Sequence, residues 1–141
     1  MAIEKILVVD DSATDRLYLT EMLEGAGFLV MTAKSGDESL LLAESHNPDL
    51  ILMDIVMPGL TGFEATRKLT KNPLTSHIPV VICSGKASVT DRPWGLRMGA
   101  KECLAKPIVE AELLACIATL NANSPKANSP QVSEDVQVSE E

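Results

Sequence analysis

Five times between Lys5 and Leu120 a short apolar run gives way to an amphipathic stretch of helical length. That rhythm points to repeated βα units around a parallel sheet. The strands it predicts are KILVV (5–9), FLVMT (28–32), DLILMD (49–54), PVVICS (79–84) and ECLA (102–105). Three of these are almost unbroken in apolar residues, as strands covered on both faces must be. The stretches between them carry helix punctuation. Ser12 is placed to cap the first helix, whose inward residues are Leu17, Leu19, Met22 and Leu23, before Gly25-Ala26-Gly27 stops it. Ser35 and Glu38 have capping-box spacing at the second, with Leu41, Leu42 and Ala43 as its stripe. The third runs from Gly62 to Asn72 and ends at Pro73, Thr90 caps a fourth that tolerates Pro93 in its first turn, and the fifth turns Leu113, Leu114, Ile117 and Leu120 inward. Right-handed crossovers make this a doubly wound α/β sheet in which every strand delivers its C-terminal residues to one shared edge.

The chain is long enough, at 141 residues, to bury one real core. With 45% hydrophobic and only 3% aromatic residues, that core is built from Leu, Ile, Val, Met and Ala. The formal charge of −8 argues against nucleic acid or an anionic membrane as partner, since both call for basic patches. No stretch approaches the roughly 18 apolar residues of a membrane span, and no basic segment with an apolar core opens the sequence, so a cytoplasmic protein with protein partners is expected. Cys83, Cys103 and Cys116 lack metal-type spacing and read as reduced thiols. His46 and His77 have no second ligand nearby and read as structural.

Asp10, Asp11, Asp54 and Ser84 all fall at predicted strand ends, so the topology gathers them in one crevice. Two like charges about 4 Å apart repel by about 4 kcal/mol at an effective dielectric near 20, so the adjacent pair Asp10-Asp11 needs a cation or abundant water. Taken alone, two aspartates at a strand tip often do no more than cap the next helix. Joined by Asp54 they form an oxygen cluster suited to Mg²⁺, which takes a few carboxylates and keeps several waters. Ser84 and Lys106 add a hydroxyl and an ammonium, and Pro107 biases Lys106 away from helical geometry, holding it at the sheet edge. A cation, a hydroxyl and an ammonium around a carboxylate would stabilise a phosphoryl group in transfer, with Asp54 at the tip of the central strand as nucleophile.

The motifs VVDDS, LMDIVMPGLTGFEATRKL, PVVICSGK and GAKECLAKP closely resemble the receiver domain of two-component response regulators, over about residues 3 to 120. The resemblance implies a flavodoxin-like five-stranded sheet in the order 2-1-3-4-5. It implies that Asp54 accepts a phosphoryl group from a sensor histidine kinase, that Asp11 binds Mg²⁺ directly and Asp10 through water, and that Asp54 and the backbone carbonyl of Val56 complete the metal's protein ligands. It implies that Ser84 hydrogen-bonds the phosphoryl group, that Lys106 pairs with one of its oxygens, and that the face of the fourth helix, fifth strand and fifth helix meets a downstream motility protein or another regulator. The GL-GF-ATR-LTK helix and Trp94 are similar, more narrowly, to single-domain, chemotaxis-type regulators of twitching motility and phototaxis. Trp94 reads either as a surface anchor on that face or as packing against its own domain.

Cys103 stands where the family usually carries Tyr or Phe, and a thiol cannot fill that volume. Val56 and Lys86 stand where many receivers carry groups that orient hydrolytic water, so a long-lived acyl phosphate is expected. The competing readings are a Mg²⁺-dependent phosphohydrolase that also forms an aspartyl phosphate, a phosphate sink for another regulator, and a pseudo-receiver that works without phosphorylation. Against the hydrolase, position 12 is Ser, where an acid/base carboxylate would be needed. From Asn121 onward the sequence loses apolar periodicity and carries Glu134, Asp135, Glu140 and Glu141 against Lys126, hence −3 of the −8. A disordered acidic tail over 121–141 is expected.

Overall fold

The computed structural model describes residues 2–85 and 91–122. The expected cap Thr90, the departure at Lys86 and the acidic segment from Asn123 onward lie outside them. Ten elements alternate: β1 (Lys5–Val9), α1 (Ala13–Gly25), β2 (Leu29–Ala33), α2 (Gly36–His46), β3 (Leu50–Asp54), α3 (Gly62–Lys71), β4 (Val80–Ser84), α4 (Asp91–Arg97), β5 (Glu102–Ala105) and α5 (Glu110–Ala122). The strands are all parallel, in the order β2-β1-β3-β4-β5.

Alternation along the strands divides the core into two layers. Leu7, Val9, Ile51, Met53, Val80 and Ile82 pack with Ala43 of α2 and with Ala65 and Leu69 of α3. Ile6, Val8, Leu50, Leu52, Val81 and Cys83 pack with Leu19 and Leu23 of α1 and with Leu113 and Ile117 of α5. Strands β3 and β4 are buried at every position, whereas the edge strands β2 and β5 are mostly half-buried or exposed, which explains their mixed composition. Leu17 and Leu41, expected in the core, are 57% and 71% exposed. Each lies two residues from the inward-facing Leu19 or Ala43, a rotation of about 200° on a helix, which carries it to the far side.

The helix starts follow the capping chemistry. Ser12 and Ser35 accept hydrogen bonds from the N–H groups of Asp15 and Glu38. The reciprocal bond of Glu38 reaches the N–H of Lys34, 2.7 Å away, one residue before the cap. A complete capping box forms at α3 instead, where Thr61 and Glu64 each accept from the other's N–H. Pro93 lies in the first turn of α4 as the sequence predicts, and α3 stops at Lys71 with Asn72 as its cap, one residue short of the expected end. Helix α5 runs two residues past Leu120, and Asn121 accepts a hydrogen bond from the N–H of Ile3, so residues 121 and 122, expected in the tail, are helical.

Candidate functional site

Register fixes which strand ends meet. Val9 is level with Met53, so Asp10 lies beside Asp54, the last residue of β3. Asp54 is level with Cys83, which puts Ser84 one step beyond it, and Ser84 is level with Ala105, which precedes Lys106. The order of the sheet reverses direction between β1 and β3, where crossovers leave on opposite faces and a crevice opens at the C-terminal ends.

Within that crevice Asp10, Asp11 and Asp54 each offer a carboxylate oxygen, all within 4.8 Å of one another. Asp10 and Asp54 are buried and Asp11 is exposed. Asp10 is held from several sides: one oxygen accepts from the N–H of Ser12 at 2.9 Å, the other from Lys106 at 2.7 Å, and its backbone carbonyl accepts from Arg16. Lys106 Nζ lies 3.1 Å from Asp54 Oδ1 and 3.0 Å from Asp15 Oδ2. Burial alone would push the Lys106 ammonium toward neutrality, but hydrogen bonds to Asp10, Asp15 and Asp54 outweigh it and raise its pKa. Burial, reinforced by the charge of Asp10, raises the Asp54 carboxyl above its ordinary value, and Lys106 only partly opposes this.

Strand β5 ends at Ala105 and α5 does not begin until Glu110, so Lys106 stays on the sheet edge as expected. Between β3 and α3, Met57 is buried and Gly59 has a φ of +79°, a conformation that favours glycine. The Val56 side chain is 80% exposed. Ser84 Oγ donates to Asp91 Oδ2 at 2.6 Å, tying the end of β4 to the first residue of α4. Three residues farther on, Trp94 is 46% exposed, meets the ring of Phe63 edge-on at 6.4 Å and carries the Arg97 guanidinium 5.8 Å from its centre. Thus Trp94 both packs on its own domain and presents a face to solvent. Cys103 on β5 is half-buried against the same layer as Phe63.

The site residues expected from sequence, Asp10, Asp11, Asp54 and Lys106, are therefore brought together, with Ser84 at the adjoining strand end. Sequence reasoning missed four groups. Asp15 joins Lys106; its signal was the spacing from the Ser12 cap, which places it in the first turn of α1 facing the crevice. Arg16 and Asp91 engage backbone and hydroxyl groups that no local pattern announces. Gly62 abuts the Asp54 carbonyl so closely that a Cβ there would lie 2.0 Å from its oxygen.

The donors fit a hard divalent cation: three carboxylate oxygens converge, with an open side at exposed Asp11. Among the described residues, no helix is long and apolar enough to cross a membrane.

Comparison with known proteins bears on the same residues. The model of the response regulator receiver domain matches residues 6–118. Protein PilH of Pseudomonas aeruginosa is 51% identical over 113 residues, covering 80% of this chain and 93% of PilH. Several longer relatives match at 35% to 40% identity, and this chain spans between 26% and 51% of their length. Among solved structures, chemotaxis protein CheY4 of Vibrio cholerae superposes with a TM-score of 0.77 at 31% identity, covering 84% of this chain and 98% of CheY4. The receiver domain of a sensor histidine kinase from Pseudomonas aeruginosa, with magnesium coordinated in its active-site cleft, superposes with a TM-score of 0.79 at 30% identity, covering 86% of this chain and all of that one. Strand order, the acidic crevice and a family match spanning all five βα units agree, and the chain belongs to the response regulator receiver domain family.

Proposed function

We propose that this receiver takes a phosphoryl group from a phosphohistidine of a sensor kinase onto Asp54 and signals by contact with another protein, in pilus-driven twitching motility. One observation carries the reading: Lys106 Nζ sits 3.1 Å from Asp54 Oδ1 in a crevice whose three carboxylate oxygens lie within 4.8 Å of one another. The similarity to PilH supports the motility context.

Asp10, Asp11, Asp54 and the Val56 carbonyl would hold Mg²⁺, which supplies charge neutralisation for the phosphoryl oxygens when bound. The remaining work falls to the chain. An oxygen of Asp54 attacks phosphorus, the phosphorus–nitrogen bond breaks, and its electron pair leaves on the imidazole. Lys106, already 3.1 Å from Asp54 Oδ1, neutralises a phosphoryl oxygen. Ser84 donates to another oxygen once its hydroxyl leaves Asp91. The exposed side chain of Val56 cannot hydrogen-bond water, so hydrolysis of the acyl phosphate is slow.

The test is phosphotransfer from the host's purified sensor kinases, with Asp54→Asn as control. The expected result is labelling of the parent by one kinase and none of the variant. Labelling by none of the kinases, or labelling that survives Asp54→Asn, would overturn the assignment. Acetyl phosphate separates this from a phosphohydrolase: a receiver stops near one phosphoryl group per chain, whereas an enzyme keeps releasing phosphate. An acyl-phosphate half-life of seconds would overturn the role given to Val56.

A further inference from the structure

The outer face of α3 concentrates positive charge in an acidic protein. Arg67, Lys68 and Lys71 recur at helical spacing, all exposed, opposite the buried Gly62, Ala65, Thr66 and Leu69. With Leu60, Glu64 and Asn72 they line an open groove of about 470 Å³. Among the described residues, none of the three cations has a carboxylate within 4.0 Å. The nearby acids are engaged: Glu64 accepts from the Thr61 N–H at 2.9 Å and Glu44 from the Asn72 amide at 2.6 Å.

We propose that this groove receives the chain's own acidic segment, Val132 to Glu141, in an intramolecular contact. The first support is charge complementarity: Glu134, Asp135, Glu140 and Glu141 alternate with Val132, Val136 and Val138, which matches three cations beside Leu60 and the stems of the basic side chains. The second is reach. Asn121 bonds the N–H of Ile3, just ahead of β1, so α5 ends at the N-terminal edge of the sheet. Helix α3 also ends at that edge, just ahead of β4. Glu134 lies twelve positions beyond Ala122, or about 40 Å of extended chain, against a domain about 35 Å across. Because the segment is tethered, the contact competes as an intramolecular one against the same contact between two chains. The contact is independent of phosphoryl transfer at Asp54.

A zero-length carbodiimide cross-linker tests it on the full chain, without phosphate donor, in an equal mixture of ¹⁴N- and ¹⁵N-labelled protein. The expected result is isotopically unmixed links from Lys68 or Lys71 to the acids at 134–141, about tenfold above links to Lys5, Lys34 or Lys101, and falling at least fivefold near 1 M salt, where the Debye length is about 3 Å. The paired substitution Glu134→Lys with Asp135→Lys should lower the yield similarly while leaving the melting temperature unchanged. Links spread evenly over all lysines overturn the proposal. Links only between isotopes, which indicate a second copy as occupant, overturn it too, as does a yield indifferent to salt.

Discussion

Gly62→Ala tests how the Asp54 strand end is held. A Cβ at position 62 would lie 2.0 Å from the Asp54 carbonyl oxygen and 2.8 Å from both the Asp54 carbonyl carbon and Ile55 Cα. These are backbone atoms, so no side-chain rotation relieves the contact, and the first turn of α3 must retreat by at least about 1 Å to reach an ordinary separation. That retreat stretches the hydrogen bond from the Gly62 N–H to the Ile55 carbonyl, now 2.8 Å. Overpacking costs about 1–3 kcal/mol and a lost hydrogen bond about 1 kcal/mol, offset by up to about 1 kcal/mol from the better helix propensity of alanine. The net spans about 1–4 kcal/mol, and mid-range values give about 2–3 kcal/mol. For a domain of about 120 residues, 1 kcal/mol moves the melting temperature by about 4 °C, so a fall of about 8–12 °C is expected. Because the displaced backbone carries Asp54 and Val56, the Mg²⁺ concentration needed for half-maximal thermal stabilisation should rise as well. Gly25→Ala is the control: nothing lies within 4 Å of its Cβ, so that variant should melt at or slightly above the parent. If Gly62→Ala melts within about 2 °C of the parent with an unchanged Mg²⁺ midpoint, the close approach is not what holds the site.

Three further outcomes follow from the same geometry. The folded protein favours protonated Asp54, because burial and Asp10 raise its pKa; stability is therefore lost as pH rises past the ordinary carboxylate value of 3.8, and Asp54→Asn should raise the Mg²⁺-free melting temperature at pH 7 but not below pH 3.8. Equal gains at both pH values would contradict this. Burial pushes the Cys83 thiol up to about 12, so a thiol reagent at pH 8 should modify half-buried Cys103 and Cys116 slowly and Cys83 only after unfolding; three equally fast reactions would refute that burial. Trp94 is the only tryptophan and lies three residues from Asp91, so its emission should change when beryllofluoride and Mg²⁺ are added, and Ser84→Ala should remove most of the change. An unaltered response in Ser84→Ala would sever Ser84 from α4.

The legible parts of the fold were those where one residue type answers to one physical demand. Unbroken apolar runs marked β3 and β4 because both faces are covered, and alternation of strand and helix fixed where Asp10, Asp54 and Ser84 had to meet. Leu17 and Leu41 were misplaced because their helices have mixed faces: a leucine adjoining a buried stripe reads like a member of it, and only packing shows which side is covered. The partners of Asp15, Arg16 and Asp91 were not legible for a different reason. Asp15 acts on Lys106 from 91 residues away, and Arg16 and Asp91 act across the turns that follow β1 and β4, where no spacing rule names the partner. The capping box at Thr61 and Glu64 is readable in the sequence, as the S/T-x-x-E pattern is local.

The crevice is hard to explain as a device for stability. Asp10, Asp15 and Asp54 gather around the ammonium of Lys106 with Asp11 beside two of them, and the raised pKa of Asp54 means that the fold disfavours its charged form. Well-packed apolar residues in such a position would often be neutral or stabilising, whereas unrelieved like charge is not. The arrangement makes sense if relief arrives from outside, first as a divalent cation and then, in the proposed transfer, as a demand for more positive partners when Asp54 carries a phosphoryl group. Lys106 already touches Asp54 and needs little movement. Ser84 does not have that freedom, because its hydroxyl is given to Asp91 at 2.6 Å, and turning it toward Asp54 must loosen the first residue of α4. In the proposed transfer, the Ser84–Asp91 hydrogen bond would link the electrostatic stress in the crevice to the start of the Trp94 helix, so that a charge added at a strand tip would be felt on an outer face.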